Sequence, residues 1–236
     1  MSKIKSDVKE LLSDKLQNGQ TILVGGFGLV GAPLTLIETL SEVEVSDLCI
    51  VSNNLGEKDK GLGKVLNQKK ISKGIGSYFT SNPDVGALYQ KGDIELQLLP
   101  QGTLAESIRA GGAGIGGYYT KTSVGTDLAK GKEVKIIRDE EYVFEPSIQG
   151  DIAFIKAFKS DKQGNLTYYK TARNFNPLMA TAAKYVIAEV DHIVEDGELN
   201  PEEIVTPHLY IDAIIKSSLL LTKEGVVHRD SEIVSK

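Results

Sequence analysis

Along the first 110 residues the apolar positions change period repeatedly. Val8, Leu11, Leu12 and Leu16 lie three and four apart, the spacing of one helix face, and Asn18-Gly19 closes that helix. Thr21-Ile22-Leu23-Val24 is a continuous apolar run that enters a glycine stretch and predicts a buried strand. Pro33 to Leu40 predicts a helix with proline near its first position. Asp47 to Val51 predicts a strand, Leu62 to Leu66 a helix, and Lys70 to Tyr78 a strand up to Gly76. A helix follows from Asn82-Pro83 to Tyr89, then a strand over Ile94 to Leu99 and a helix over Thr103 to Ala110. Strand and helix thus alternate four times, which argues for an α/β fold with an open, mostly parallel sheet and helices on both faces.

The pattern changes after residue 110. Gly111 to Gly117 holds five glycines in seven positions, too many for a strand or a helix, and predicts a mobile loop or a close backbone approach. Tyr142–Phe144, Asp151–Ala157 and Leu166–Tyr169 predict strands with turns between them, a smaller β-rich part. Asn176-Pro177 starts a short helix, Lys184 to Val190 is a strand, and the tail from Glu195 is polar with short apolar runs. No linker-like stretch or internal repeat divides the chain, so residues 1–236 are expected to form one domain.

Composition narrows the function classes. The net charge is −5 with both signs mixed, and there is no basic stripe, so neither nucleic acid nor an anionic membrane is an expected partner. Cys49 is the one cysteine, which rules out an internal disulfide and fits a reducing cytoplasm; within Leu48-Cys49-Ile50-Val51 it reads as a small core residue. The N-terminal stretch MSKIKSDVKELL lacks the apolar core of about 7–15 residues that a signal peptide needs. No apolar run approaches the roughly 18 residues of a membrane-spanning helix. His192, His208 and His228 have no ligand partner at helical spacing, so no metal site is expected.

Three segments sit where a parallel sheet places ligands, beyond the carboxyl ends of strands. The first is Gly25-Gly26-Phe27-Gly28-Leu29-Val30-Gly31-Ala32-Pro33, between strand and helix. Its glycines permit positive φ and close approach, and the next helix can direct free N–H groups at an anion. Gly26, Gly28 and Gly31 also satisfy the dinucleotide fingerprint G-x-G-x-x-G, but the acidic ribose partner is replaced by Ser52-Asn53-Asn54. A ligand-free tight turn is the other reading. The second segment, Ser52-Asn53-Asn54, offers amides that orient a carbonyl, or else a simple turn. The third is Pro100-Gln101-Gly102-Thr103-Leu104-Ala105-Glu106, where Gln101 projects an amide at the same edge and Thr103 with Glu106 forms a capping box. Thr171–Pro177 is polar and suits a ligand or subunit contact, and Arg173 suits a carboxylate or a structural ion pair. No nucleophile elbow or P-loop is present.

Taken together, these segments resemble the A subunits of family I CoA-transferases. The resemblance rests on GGFGLVGAP at 25–33, SNN at 52–54, PQGTLAE at 100–106, IRAGGAGIGG at 108–117, VGT at 124–126, GNLTYYKTARNFNPLMATAA at 164–183 and VTPHLYID at 205–212. It covers roughly residues 5–215. The SNN and KTARNFNP forms look closer to succinyl-CoA:3-oxoacid CoA-transferases than to the acetate/butyrate–acetoacetate branch. Three positions depart from the family pattern. Gly116 stands where many relatives have proline and Ser123 where many have glycine, which leaves the glycine-rich loop's shape open. Ser107 stands where arginine is frequent, a change expected at a surface or subunit contact.

The resemblance implies a division of labour. In such enzymes a glutamate attacks the donor acyl-CoA, an anhydride and then a glutamyl-CoA thioester form, and the acceptor acid takes over the CoA. That glutamate lies in a Ser-Glu-Asn-Gly context on the B subunit, and this chain has no such tetrapeptide. The implied picture is a chain that lacks the nucleophile, forms an α2β2 assembly with a B subunit, needs no cofactor and uses coenzyme A as substrate. Asn53, Asn54 and Gln101 would orient the reacting carbonyl, and Gly25, Gly26, Phe27, Gly28, Leu29, Val30 and Gly31 would contact CoA. The acetate/butyrate–acetoacetate branch, a nicotinamide-dependent dehydrogenase and a non-enzymatic acyl-CoA or sugar-phosphate sensor are the competing readings.

Overall fold

The computed structural model describes residues 2–222 and 225–228; the remainder of the expected 1–236 unit lies outside the described residues. The first half runs β1 (Ile4–Lys5), α1 (Val8–Lys15), β2 (Thr21–Val24), α2 (Leu34–Glu42), β3 (Leu48–Val51), α3 (Leu62–Asn67), β4 (Ile71–Gly76), α4 (Pro83–Lys91), β5 (Glu95–Leu98) and α5 (Gln101–Gly112). Each alternation expected from the apolar spacing is present. The two-residue strand β1 was not anticipated, because two residues carry no period. The second half holds β6 (Gly117–Thr120), β7 (Val134–Ile137), β8 (Glu140–Pro146), β9 (Gly150–Asp161), β10 (Leu166–Thr167), α6 (Asn176–Thr181), β11 (Ala183–Val194), β12 (Ala213–Lys216), β13 (Leu219–Thr222) and β14 (Gly225–His228).

The main sheet has the order β1-β12-β11-β9-β2-β3-β4-β5, and every neighbouring pair is parallel. Strand β10, paired to β9, runs antiparallel in it. Burial on both faces explains the continuous apolar strands. Ile22, Val24, Ile50, Phe154, Ile187 and Ile215 point into one layer with α1 to α4. Leu23, Val51, Ile155, Val186 and Ile214 point into the other, with α5 and α6. This is the period of two that a strand dictates. The order reverses between β2 and β9: from β2 the chain steps to β3, β4 and β5, while β11 and β12 lie beyond β9. A ligand crevice is expected outside the carboxyl ends at that switch point.

Three local expectations are corrected. Helix α5 begins at Gln101, with Pro100 as its N-cap (φ −54°, ψ 143°), so Thr103 is inside the first turn and caps nothing. Thr103 Oγ1 has no hydrogen-bond partner among the described residues, and Glu106 is bound by Arg109 Nε and Nη2 at 2.8 and 2.6 Å. The helix also runs through Gly111 and Gly112. Glycine is needed there for close packing: a Cβ at Gly111 would lie 2.0 Å from Ile148 O, and one at Gly112 would lie 2.2 Å from Thr181 Oγ1. Beyond it, β6, β8 and β7 form a separate antiparallel sheet. Strand β7 escaped the sequence reading because its apolar residues face solvent, with Val134 and Ile136 both exposed. Ser107 is buried against the Tyr118 hydroxyl at 3.3 Å, not placed at a surface.

Candidate active site

The carboxyl ends of β2, β3, β4 and β5 bring together the glycine loop, Asn53, Ser77 and Gln101. Strand β3 ends at Val51, and Ser52 ties the next turn to β2 through Oγ to Val24 O at 2.8 Å. Asn53 follows and is 2 % exposed. Its Nδ2 donates to Gln101 Oε1 at 3.0 Å and to Ser77 Oγ at 3.1 Å; its Oδ1 accepts from Gly28 N at 3.3 Å. Its carbonyl takes Ser77 N and Tyr78 N, so the turn after β4 is fastened to the turn after β3. Ser77 Oγ also donates to Gln101 Oε1 at 2.6 Å. Sequence reading missed Ser77; its place one residue past a predicted strand was the available signal.

These bonds separate the roles of the three amides. Asn53 is saturated within the chain and holds Gln101 and the glycine loop in register. The exposed Gln101 has its oxygen occupied by two donors, and its Nε2 takes no partner among the described residues. An amide fixed by its oxygen presents its N–H groups outward. Gln101 is also the first residue of α5, whose N-terminal N–H groups add positive potential to the same edge. Asn54 is not brought into this set: it is buried, and its Oδ1 accepts from Gly56 N at 3.0 Å.

The glycine loop folds back on itself. Phe27 N and Val30 O, and Val30 N and Phe27 O, bond at 2.9 and 3.2 Å around Gly28 (φ 60°) and Leu29. The reversal pushes Phe27 and Val30 into solvent. Beneath it lie Asn174 and Asn176, from the polar segment that sequence reading singled out without assigning. Gly26 N donates to Asn174 Oδ1 at 3.0 Å, and Asn176 Nδ2 donates to Gly31 O at 3.0 Å. Gly25 cannot carry a side chain, since its Cβ would lie 1.8 Å from Asn176 Oδ1. Arg173 takes part in none of these bonds. Against β9 the loop borders a cleft of about 430 Å³, whose walls include Leu29, Val30, Phe158, Tyr168 and Leu220 and whose charged lining is the ion pair of Lys156 with Asp191 (2.7 Å).

Among the described residues no carboxylate joins the hydrogen bonds of the amide cluster. A fully buried glutamate near the loop, Glu189 on β11, is locked at the start of α2. It accepts from Thr35 N (2.9 Å), Thr35 Oγ1 (3.0 Å), Leu36 N (3.2 Å), Ser217 Oγ (2.7 Å) and Lys156 Nζ (3.3 Å). A carboxylate at a helix N-terminus with every lone pair engaged is a structural anchor, not a free nucleophile. Cys49 is half-buried on β3, and burial pushes its thiol above the usual range, which keeps it protonated and inert. Among the described residues no group of three metal-binding side chains comes together, and no helix is long and apolar enough to cross a membrane.

A family model described as Coenzyme A transferase matches residues 5–217. The chain is 51 % identical to the A subunit of the succinyl-CoA:3-ketoacid coenzyme A transferase of Helicobacter pylori over 216 residues, 92 % of this chain and 93 % of that protein. It is 49 % identical to the A subunit of the probable succinyl-CoA:3-ketoacid coenzyme A transferase of Bacillus subtilis over 215 residues, 91 % of this chain and 90 % of that one. Among solved structures, the acyl-CoA transferase of Escherichia coli O157:H7, described as a thioester complex with CoA, superposes with a TM-score of 0.79 at 20 % identity. The likeness covers 92 % of this chain and 47 % of the larger one, and it is a likeness of fold. The glycine loop, the amide cluster and α5 all fall inside the matched residues, and the chain belongs to the coenzyme A transferase family.

Proposed function

We propose that this chain is the A subunit of a two-chain CoA-transferase that moves CoA from an acyl-CoA, succinyl-CoA foremost, to a 3-oxoacid such as acetoacetate. The observation that carries the reading is the Gln101 amide. It is fixed by its oxygen, offers its N–H groups at the sheet's carboxyl edge, and shares no hydrogen bond with a carboxylate among the described residues. Such a donor polarises an acyl carbonyl and stabilises the oxyanion that forms when a nucleophile attacks it. The attacking carboxylate then has to come from elsewhere, and the proposal assigns it to a glutamate of the B subunit. Attack by that glutamate on the thioester carbonyl releases CoA thiolate and leaves an acyl–glutamyl anhydride. The thiolate then attacks the glutamyl carbonyl, forming a glutamyl-CoA thioester and freeing the donor acid. The acceptor carboxylate reverses the sequence and leaves with CoA. Asn53 holds Gln101 in place, and the loop from Gly25 to Gly31, with Phe27 and Val30 exposed, contacts CoA.

Names of relatives support this choice of substrates: the Helicobacter pylori and Bacillus subtilis proteins act, by name, on succinyl-CoA and a 3-ketoacid, and both are named as A subunits. Other relatives are named as the A subunit of 3-oxoadipate CoA-transferase (45 % identical) and the alpha subunit of acetate CoA-transferase (43 % identical). The test is to co-express the chain with its B subunit, then to assay acyl-CoA and acid pairs. The assembled enzyme should transfer CoA fastest from succinyl-CoA to acetoacetate, and the purified single chain should transfer none. Robust transfer by the single chain would refute the division of the site between two chains; a preference for acetate or 3-oxoadipate would correct the substrates alone.

A further inference from the structure

We infer that Asn174 is a positioning residue that fixes the glycine loop against Gln101, an inference that rests on the transferase function proposed above. Asn174 lies between a short 3-10 turn (Lys170–Arg173) and α6, with φ 23° and ψ −123°. Glycine enters that conformation freely and a residue with a Cβ does so under strain. A turn alone would be better served by glycine. What the asparagine adds is its side-chain amide, and that amide spans the base of the loop's reversal. Oδ1 accepts from Gly26 N at 3.0 Å, just before Phe27, and Nδ2 donates to Val30 O at 3.0 Å, at the far end. The same Nδ2 reaches Ala172 O and Thr171 O, both at 3.2 Å, and the same Oδ1 takes Phe175 N at 2.7 Å. The clamp is therefore anchored in its own segment and does not float with the loop.

Asn176 stiffens the support. It is fully buried, accepts from Lys156 N on β9 at 2.8 Å, and donates to Gly31 O and to Ala172 O at 3.0 and 2.9 Å. Clearance is small: a Cβ on Gly31 would lie 2.3 Å from Ala172 O and 2.7 Å from Asn174 Nδ2. On its other side the loop meets Asn53, through Gly28 N, and Asn53 holds Gln101. The loop is thus pinned by three asparagines: Asn174 below the reversal, which is the lower pin, Asn176 at Gly31, and Asn53 beside the reactive edge. Releasing the lower pin lets the loop move relative to the Gln101 amide. A shift of about 1 Å in a positioned group can cost roughly 10²-fold in rate.

Asn174→Gly tests this, because it relieves the backbone while deleting the clamp. In the complex with the B subunit it should lower kcat by roughly 10²-fold, leave KM within about threefold and leave the melting temperature unchanged. Hydrogen exchange at the Gly26 amide should accelerate. Asn174→Asp keeps the acceptor for Gly26 N but loses the donor to Val30 O; it should also lose kcat while the Gly26 amide stays protected. Wild-type kcat in Asn174→Gly would overturn the inference. So would a loss that follows a fall in melting temperature or in yield of complex, in both variants alike, since that is a structural role. If the wild-type complex transfers no CoA, the proposed function fails instead, and the exchange comparison still reports whether Asn174 holds the loop.

Discussion

Replacing Gln101 separates the catalytic reading of the amide cluster from a structural one. Gln101→Ala deletes the Oε1 that accepts from Asn53 Nδ2 and Ser77 Oγ. The site is exposed, Ser77 can turn to water, and Asn53 keeps its bonds to Ser77 and Gly28. The stability loss is then that of one net hydrogen bond, about 0.5–1.5 kcal/mol, or about 1–6 °C in melting temperature for a chain of this size. Loss of a donor to a developing oxyanion is larger, about 2.7–4 kcal/mol or 10²–10³ in kcat. Gln101→Glu sharpens the contrast. It retains an acceptor for Asn53 and Ser77, so melting should stay near wild type, but it replaces the outward Nε2 with a second oxygen. Turnover should fall at least as far as in the alanine variant. The assay is steady-state CoA transfer by the assembled enzyme beside a thermal melt of the same preparation. Wild-type turnover in Gln101→Glu would remove the Nε2 group from the mechanism and leave Gln101 a loop residue.

Two further outcomes are expected. Glu189→Gln places an amide N–H against Thr35 N, Leu36 N or Lys156 Nζ; breaking such a buried ion pair costs about 3–5 kcal/mol, so the melting temperature should fall by about 6–20 °C, and an unchanged melt would contradict the anchoring role. Asp151 is held below its usual range first by the Lys184 ammonium and then by Thr21 N; its contribution is complete above the ordinary value near 3.8 and is lost as pH falls through the lowered one. The melting difference between wild type and Asp151→Asn should therefore be constant at neutral pH and shrink below about pH 4; a difference independent of pH down to about 2 would contradict this.

Much of the fold was legible because its strands are short and separated by amphipathic helices, and β2 and β3 are buried on both faces, so period and composition agree from β2 to α5 even where β5 lies exposed at the sheet edge. The long strands were seen only in part. β9 and β11 each run for 12 residues, past the expected ends at Ala157 and Val190: Lys159, Ser160 and Asp161 on β9 and Asp191 and His192 on β11 interrupt the apolar run there. That Asn53 and Gln101 meet at the sheet's carboxyl edge was legible from strand ends alone. Their division of labour was not, since sequence cannot say which atom of an amide is already engaged. Asn54 shows the limit: it is one residue from Asn53 on the same edge, yet it turns inward to Gly56. The support from Asn174 and Asn176 is about 150 residues away in sequence from the loop it holds, beyond the reach of any local pattern.

The central claim is that this chain supplies the carbonyl-orienting half of the site and its partner the nucleophile. Trapping tests it most directly. The assembled enzyme is incubated with succinyl-CoA and treated with hydroxylamine, which converts a glutamyl thioester to a hydroxamate, and the modified peptide is mapped. One modified glutamate is expected, on the B subunit, with none on this chain. A hydroxamate on Glu106, Glu189 or any other carboxylate of this chain would contradict the claim.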